Sequence, residues 1–355
     1  MLKLNKDDEL LVFRSAGIGD FLVVLPFINY LVNIIGIPKE KIHFVVINNQ
    51  NLNPFKLIFD EKDPLVKNSS VLNPYMGFKE LIRIKARYLK HDFTKIIYLP
   101  FVNEPLKSKI KKYISIRFIS GTTAHIYGLN FKSKLENIGT QYLTYFEQLG
   151  LKEFNKYLNF SISSITKFSK LEKMKSDTIK EGKKNIALYI NSKLEMKIWN
   201  DLNFFKVVEY INNKYDANIY LIGGTGDIKF NDKFNDKYKL KYVENIAGQF
   251  SIRETVLLLN KFDLLISNDG SPIHMAAYSD CAILGIYTYK EEISSWEPYK
   301  SSRFITYRKN VSCKHCCLEF CSNTICLTGL KFEDVFSSID TLLEAKQIKQ
   351  SVVIY

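Results

Sequence analysis

No segment of this 355-residue chain is expected to span a membrane. The longest apolar stretch, residues 21–37, is interrupted by Pro26, Asn29 and Asn33, whereas a spanning helix needs about 20 predominantly apolar residues. A secretory leader is not expected either. The opening MLKLNKDDEL places Asp7, Asp8 and Glu9 ahead of the first apolar run, where a leader carries positive charge. Both absences predict a cytosolic protein. Acidic residues are in the minority, 37 Asp and Glu against 50 Lys and Arg, giving a formal charge of +13. That excess favours anionic partners. Nucleic acid is not expected among them, because no Arg-rich tract and no interleaving of basic and aromatic residues accompanies the charge. Cysteine is scarce outside one place. Five of the six crowd into residues 313–326, and in a reducing compartment such a cluster points to thiols or metal rather than disulfides.

What is present is an ordinary globular composition, 46% hydrophobic and 25% charged, on a chain too long for one core. Residues 9–13 read as an apolar strand, followed by SAGIGD at 15–20 and then the apolar run from Phe21, of helical length. Strand, glycine turn and helix open a nucleotide-type α/β unit. The dinucleotide fingerprint GxGxxG is absent: only Gly17 and Gly19 occupy the turn. Further strands are predicted at 43–47, 93–99 and 114–119. Between 161 and 184 the pattern degrades into Ser, Thr, Lys and Glu. It restarts with a strand at 185–190, a helix near 202–214, and a strand at 218–222 ending in GGTGD. A strand at 243–246, a helix near 252–260 and a closing helix from 332 complete the second half. Strands alternating with helices imply parallel sheets with right-handed crossovers.

The stretch DLLISNDGSPIHMAAYSDCAILGIYT organises the second half. It reads as a strand at 264–267, a loop at 268–271, a helix capped by Ser271 with Pro272 in its first position, and a strand at 282–287. Backbone N–H groups at such a helix start can hold an anion, and Asp269 beside them can accept from hydroxyls. Asp20 repeats the arrangement in the first half, at a strand end after a glycine turn.

Several of these pieces resemble family-nine glycosyltransferases, the ADP-heptose:lipopolysaccharide heptosyltransferases. LLVFRSAGIGDFLVVLP is similar to their opening, NSKLEMKIWN to their K-x-W segment, YLIGG to a strand with two glycines, NIAGQFSIRE to a glycine turn before a helix, and ISNDGSPIHMAA to their N-D-[ST]-G-x-x-H-L-A signature. Here the signature order is permuted to Asp269-Gly270-Ser271, and Asn200 replaces the proline usual after K-x-W. The resemblance implies an α/β fold of the GT-B type, two Rossmann-like domains facing each other across a cleft. The expected boundaries are 1–165 for an acceptor-side domain, 166–184 for a linker, 185–331 for a nucleotide-sugar-binding domain, and 332–355 for a helix packing back on the first domain.

The implied activity is inverting, metal-independent transfer of a heptose from ADP-heptose to a lipopolysaccharide or lipooligosaccharide core, a lipid-linked acceptor at the cytoplasmic face of the inner membrane. Asp20 takes the position of the family's catalytic base, a role for which one carboxylate within hydrogen-bond reach of the incoming hydroxyl suffices. No DxD-type metal motif stands where the leaving diphosphate would need it. Lys197 and the backbone N–H groups of Gly270, Ser271 and Ile273 are the implied substitutes. Donor binding further implicates Asp269, His274, Gly223, Gly224 and Glu244. Each also has a plain structural explanation: Asp20 as a helix cap, Lys197 as a solvated loop lysine, Asp269 in a loop-stabilising turn, and His274 as a packed histidine. Cys313, Cys316, Cys321 and Cys326, with His315 among them, have spacings compatible with a structural zinc or iron. Two other functions remain open at this point: a protein O-heptosyltransferase with the same donor, and a non-catalytic sugar-nucleotide or nucleic-acid binding module.

Overall fold

Nearly continuous runs of Ile, Leu, Val and Phe, such as IHFVVI and LLISN, make strands buried on both faces, the signature of parallel sheets covered by helices. The computed structural model describes residues 2–15, 17–48, 51–73, 77–99, 106–120, 126–128, 151, 160–289, 296–298, 300–313, 321 and 323–354. It forms two compact units, Met1–Lys167 and Phe168–Tyr355.

The first unit holds a parallel sheet of β1 (Leu10–Ser15), β2 (Ile42–Ile47), β3 (Ser69–Leu72), β4 (Lys95–Leu99) and β5 (Ile126–Tyr127), in the order β3-β2-β1-β4-β5. Strand β1 is central, with Leu10 opposite Ile42 on one side and Lys95 on the other. Leu11, Phe13, Val45, Ile96 and Tyr98 bury one face of the sheet. Strand order reverses between β1 and β4. In open α/β sheets the crevice outside the carboxyl ends at such a reversal is where ligands bind.

The apolar run after β1 breaks into helices Ile18–Leu22 and Leu25–Asn29 and a π-helical turn, Tyr30–Ile34. Over Ile18–Ile35 its mean hydropathy is 1.9, enough by composition to cross a membrane, but 61% of that stretch is buried inside the protein. Two of its polar residues are paired. Asn33 donates to the Asn29 side chain at 2.8 Å, and Ser164 donates to the same oxygen at 3.3 Å.

Residues 114–119, expected as a strand, lie instead in the helix Leu106–Ser120. Ile116 and Ile119, three apart, are buried, while Ile110, Tyr113 and Ile114 are exposed. The alternation in ISIRFI thus gives way to an i,i+3 contact, and the lysines before it are good helix formers.

The second unit holds seven parallel strands: β6 (Lys184–Tyr189), β7 (Ala217–Leu221), β8 (Val243–Asn245), β9 (Leu264–Asn268), β10 (Ala282–Ile286), β11 (Arg303–Lys309) and β12 (Ile348–Ile354). Their order, β12-β11-β10-β9-β6-β7-β8, reverses between β6 and β9. Ile186, Leu188, Trp199, Val207, Ile219, Ile266, Leu284, Ile305, Val335 and Ile339 share one core.

Residues 166–184, expected as a connection, contain the helix Lys170–Ser176, fixed in this unit by Lys175 to Glu254 at 2.8 Å and Arg253 to Glu172 at 2.7 Å. Residues 332–355, expected as a helix against the first domain, form the helix Glu333–Glu344 and then β12. That helix packs within its own unit. Phe336 stacks on Tyr210 at 4.0 Å, and Asp340 accepts from Tyr210, Tyr215 and Lys214.

Candidate functional site

Two turns in this chain share one local design. Gly17-Ile18-Gly19-Asp20 and Gly224-Thr225-Gly226-Asp227 each start a helical turn with a glycine cap, and the aspartate three residues on reaches back to that glycine's N–H. The bonds are 2.9 Å from Gly17 to Asp20 Oδ2 and 2.7 Å from Gly224 to Asp227 Oδ2. Capping is therefore real for both, and the structural explanation of Asp20 accounts for one of its oxygens. The other oxygen separates the two. Asp227 Oδ1 accepts from Asn191 at 2.7 Å. Asp20 Oδ1 is shielded from solvent and has no hydrogen-bond partner among the described residues. A buried acceptor left without a donor is unusual enough to require a reason.

Asp20 also sits at the β1|β4 reversal. Arg14, the penultimate residue of β1 and 2% exposed, donates to the Leu99 carbonyl at the end of β4 and to the Asp20 carbonyl, each at 3.5 Å. The turn that carries the aspartate is thereby tied to both central strands.

At the β6|β9 reversal of the second sheet the organising side chain is Asn268, fully buried at the end of β9. Its Oδ1 accepts from the Trp199 N–H at 3.0 Å, and its Nδ2 donates to the carbonyls of Ile190 and Asn191 at 2.9 and 3.3 Å. Trp199 is itself buried, with Nε1 donating to the Leu330 carbonyl at 2.7 Å and its ring edge-on to Phe204. The loop after β6 is thus stapled to the end of β9. One consequence decides the chemistry: Lys197, two residues before Trp199, reaches Asp269, the residue after Asn268, at 2.5 Å.

The side chains of Lys197 and Asp269 are 17% and 8% exposed, so this is a largely desolvated pair on the carboxyl edge and not a solvated loop lysine. Asn268→Ala removes three hydrogen bonds from a buried loop. It is expected to lower stability by about 2–3 kcal/mol and to raise the KM for the donor. Urea unfolding and donor titration of the turnover rate check the two parts.

After Asp269 the chain differs in detail from expectation. The helix is Ser271–Ala276 with Gly270, not Ser271, as its cap, and Pro272 is its second residue. Gly270 is fully extended, and a β-carbon there would stand 3.3 Å from the Tyr189 ring, so the glycine lets the chain pass close to β6. The Ile273 N–H returns to the Gly270 carbonyl at 3.2 Å and Pro272 has none, which leaves the N–H groups of Gly270 and Ser271 for a ligand.

Gly223 and Gly224 bring the 223–227 turn close to the neighbouring loop, where the Gly248 N–H donates to the Gly223 carbonyl at 3.0 Å. Gly248 has φ +74, and a β-carbon on it would meet Ile228 at 2.8 Å.

Two expected donor contacts are otherwise engaged. Glu244 is half exposed and directed to Lys180 at 3.4 Å. His274 is buried, edge-on to Trp296 with ring centres 5.8 Å apart. Of the four cysteines expected as metal ligands, Cys316 lies outside the described residues, as does His315. Cys313, Cys321 and Cys326 are in no disulfide, and the Cys321 sulfur donates to the Asn323 carbonyl at 2.9 Å. Sequence reasoning missed Arg14 and Asn268; the signal available was a polar residue closing an otherwise apolar strand at the edge that binds ligands.

Comparison with known proteins agrees with this layout. The family model for glycosyltransferase family 9 (heptosyltransferase) matches residues 135–326, more than half of the chain. Lipopolysaccharide heptosyltransferase 1 of Campylobacter coli is 24% identical over 294 residues, covering 76% of this chain and 80% of that protein. Among solved structures, a family 9 glycosyl transferase from Veillonella parvula superposes with a TM-score of 0.71 at 16% identity, covering 96% of this chain and 98% of that one. The ADP-heptose LPS heptosyltransferase II of E. coli gives 0.60 at 15% identity, covering 94% and 98%. The E. coli heptosyltransferase WaaC with ADP-2-deoxy-2-fluoro heptose gives 0.54 at 12% identity, covering 93% and 98%. With two parallel α/β sheets and the GT-B fold shared with these enzymes, the chain belongs to glycosyltransferase family 9, the heptosyltransferases.

Proposed function

We propose that this glycosyltransferase moves a heptose from ADP-heptose to a lipopolysaccharide or lipooligosaccharide core, with inversion at the anomeric carbon and without a metal ion. The observation that carries the reading is the Lys197–Asp269 pair at 2.5 Å on the reversal of the second sheet. The free oxygen of Asp20 on the reversal of the first sheet supports it.

In the proposed reaction Asp20 Oδ1 accepts the proton of the acceptor hydroxyl as that oxygen attacks the anomeric carbon. The bond to the diphosphate breaks on the opposite face, so configuration inverts. Negative charge then grows on the departing diphosphate, where the Lys197 ammonium and the Gly270 and Ser271 N–H groups stabilise it. Asp269 accepts from donor hydroxyls and holds the lysine in place before the donor arrives. A fixed cation and two oriented N–H groups in a partly dry site do the work that a divalent ion does elsewhere.

ADP-heptose as donor is supported by the fold shared with WaaC, solved with a fluorinated ADP-heptose, and a lipid core acceptor by the name of the Campylobacter coli relative. The net charge of +13 suits a phosphorylated lipid-linked acceptor and a peripheral position at an anionic membrane face. Thermal unfolding with ADP-heptose, UDP-sugars and GDP-sugars tests the donor. A rise in Tm with the ADP-sugar alone is expected; a rise with a UDP- or GDP-sugar and none with ADP-heptose rejects it.

A further inference from the structure

At the amino edge of the first sheet, the end remote from Asp20, three groups converge that the transfer reaction does not use. Glu9 precedes β1, His43 is the second residue of β2, and His91 lies in the turn before β4. Glu9 Oε1 stands 2.6 Å from His91 Nδ1 and 3.2 Å from His43 Nε2, and the three ligating atoms all lie within 4.8 Å of one another. His43 is 2% exposed, and its Nε2 makes no well-formed hydrogen bond among the described residues, its near neighbour being Glu9 at 3.2 Å.

We propose that Glu9, His43 and His91 form a binding site for a first-row divalent cation of the zinc type, with water as the fourth ligand on the exposed side of His91.

Two imidazoles and one carboxylate are a ligand set suited to Zn²⁺ and its neighbours, and too poor in oxygen for Ca²⁺ or Mg²⁺. An ion at about 2.0–2.2 Å from each atom fits once the short Glu9–His91 contact opens by under about 1 Å. The neighbouring charges do not compete for the space. Asp8 is held by the Asn5 N–H and by Thr94, with Lys95 at 3.4 Å, and Arg87 donates to the Lys67 carbonyl. Thr94 also fixes the Glu9 backbone, accepting its N–H at 3.1 Å, so the carboxylate is supported from behind. Six residues of β1, about 20 Å of strand, separate the site from the Asp20 turn. The ion's role is therefore to clamp β1, β2 and the turn before β4 together, not to enter the transfer.

The test uses the full chain, stripped with EDTA and titrated with ZnCl2 by calorimetry at neutral pH, beside His91→Ala and Glu9→Gln. His91 is 36% exposed, so its removal leaves the fold intact, and circular dichroism checks this. The parent is expected to bind one more equivalent of zinc than His91→Ala, with a zinc-dependent rise in Tm that His91→Ala loses. Glu9→Gln is expected to bind about tenfold or more weakly at that site. Because the cysteines are the same in all three proteins, zinc held by thiols cancels from the comparison. Equal stoichiometry and equal Tm response in parent and both variants overturns the proposal and leaves an imidazole–carboxylate hydrogen-bonded cluster only.

Discussion

Asp20→Asn is expected to lower the turnover of sugar transfer by about 10²–10⁴-fold, the contribution of a general base, while affinity for ADP stays within a factor of about two. The substitution is chosen for what it keeps. An asparagine oxygen still accepts the Gly17 N–H that Asp20 Oδ2 accepts at 2.9 Å, so the helix start persists and only the proton acceptor is lost. Asp20→Ala removes the cap as well and costs about 1 kcal/mol of stability in addition. The matched control is Asp227→Asn, in the same local turn, where both oxygens already have donors. It is expected to leave turnover within a few fold. Full turnover in Asp20→Asn reduces that residue to a helix cap.

Lys197→Ala carries the second large effect. It deletes the cation assigned to the leaving diphosphate and leaves Asp269, 8% exposed, without its partner. A loss of about 10²–10³ in kcat/KM is expected, and stability falls by about 1–3 kcal/mol from the unpaired carboxylate. The double variant Lys197→Ala/Asp269→Ala separates the two roles. Removing both charges is expected to restore most of the stability, because no buried charge is then left alone, and none of the activity. If activity returned together with stability, the pair would be a structural clamp and the diphosphate would be held elsewhere.

Much of this layout is legible in the chain because parallel strands buried on both faces must be apolar throughout. Strands β1, β2, β4, β6, β7, β9 and β10 are visible as such runs, and their alternation with helices gives the α/β class. Strands β11 and β12 are not. β11, paired on both sides, mixes Arg303, Thr306 and Arg308 with apolar residues, and β12, IKQSVVI, is half polar because it closes the sheet. The helix at 106–120 was misjudged because β-branched isoleucines at alternate positions mimic a strand, and only tertiary contact selects the i,i+3 face.

The site divides along the same line. Aspartates beside glycines at strand ends stand out, so Asp20 and Asp269 are candidates from the sequence alone. Arg14 and Asn268 act by tying neighbouring strand ends together, and that depends on which strands are neighbours, a property of sheet order that no local pattern carries. Glu244 is a candidate from its position before a glycine turn, and its side chain lies 3.4 Å from Lys180.

The most direct measurement incubates the purified chain with ADP-heptose and heptose-free lipid core in excess EDTA, following ADP release and the mass of the lipid. Addition of one heptose to the lipid, with the anomeric configuration opposite to that of the donor, is the expected result. No transfer under these conditions, or transfer only when a divalent ion is restored, would contradict a lysine and two backbone N–H groups serving in place of a metal. Retained configuration would contradict a single carboxylate acting as base.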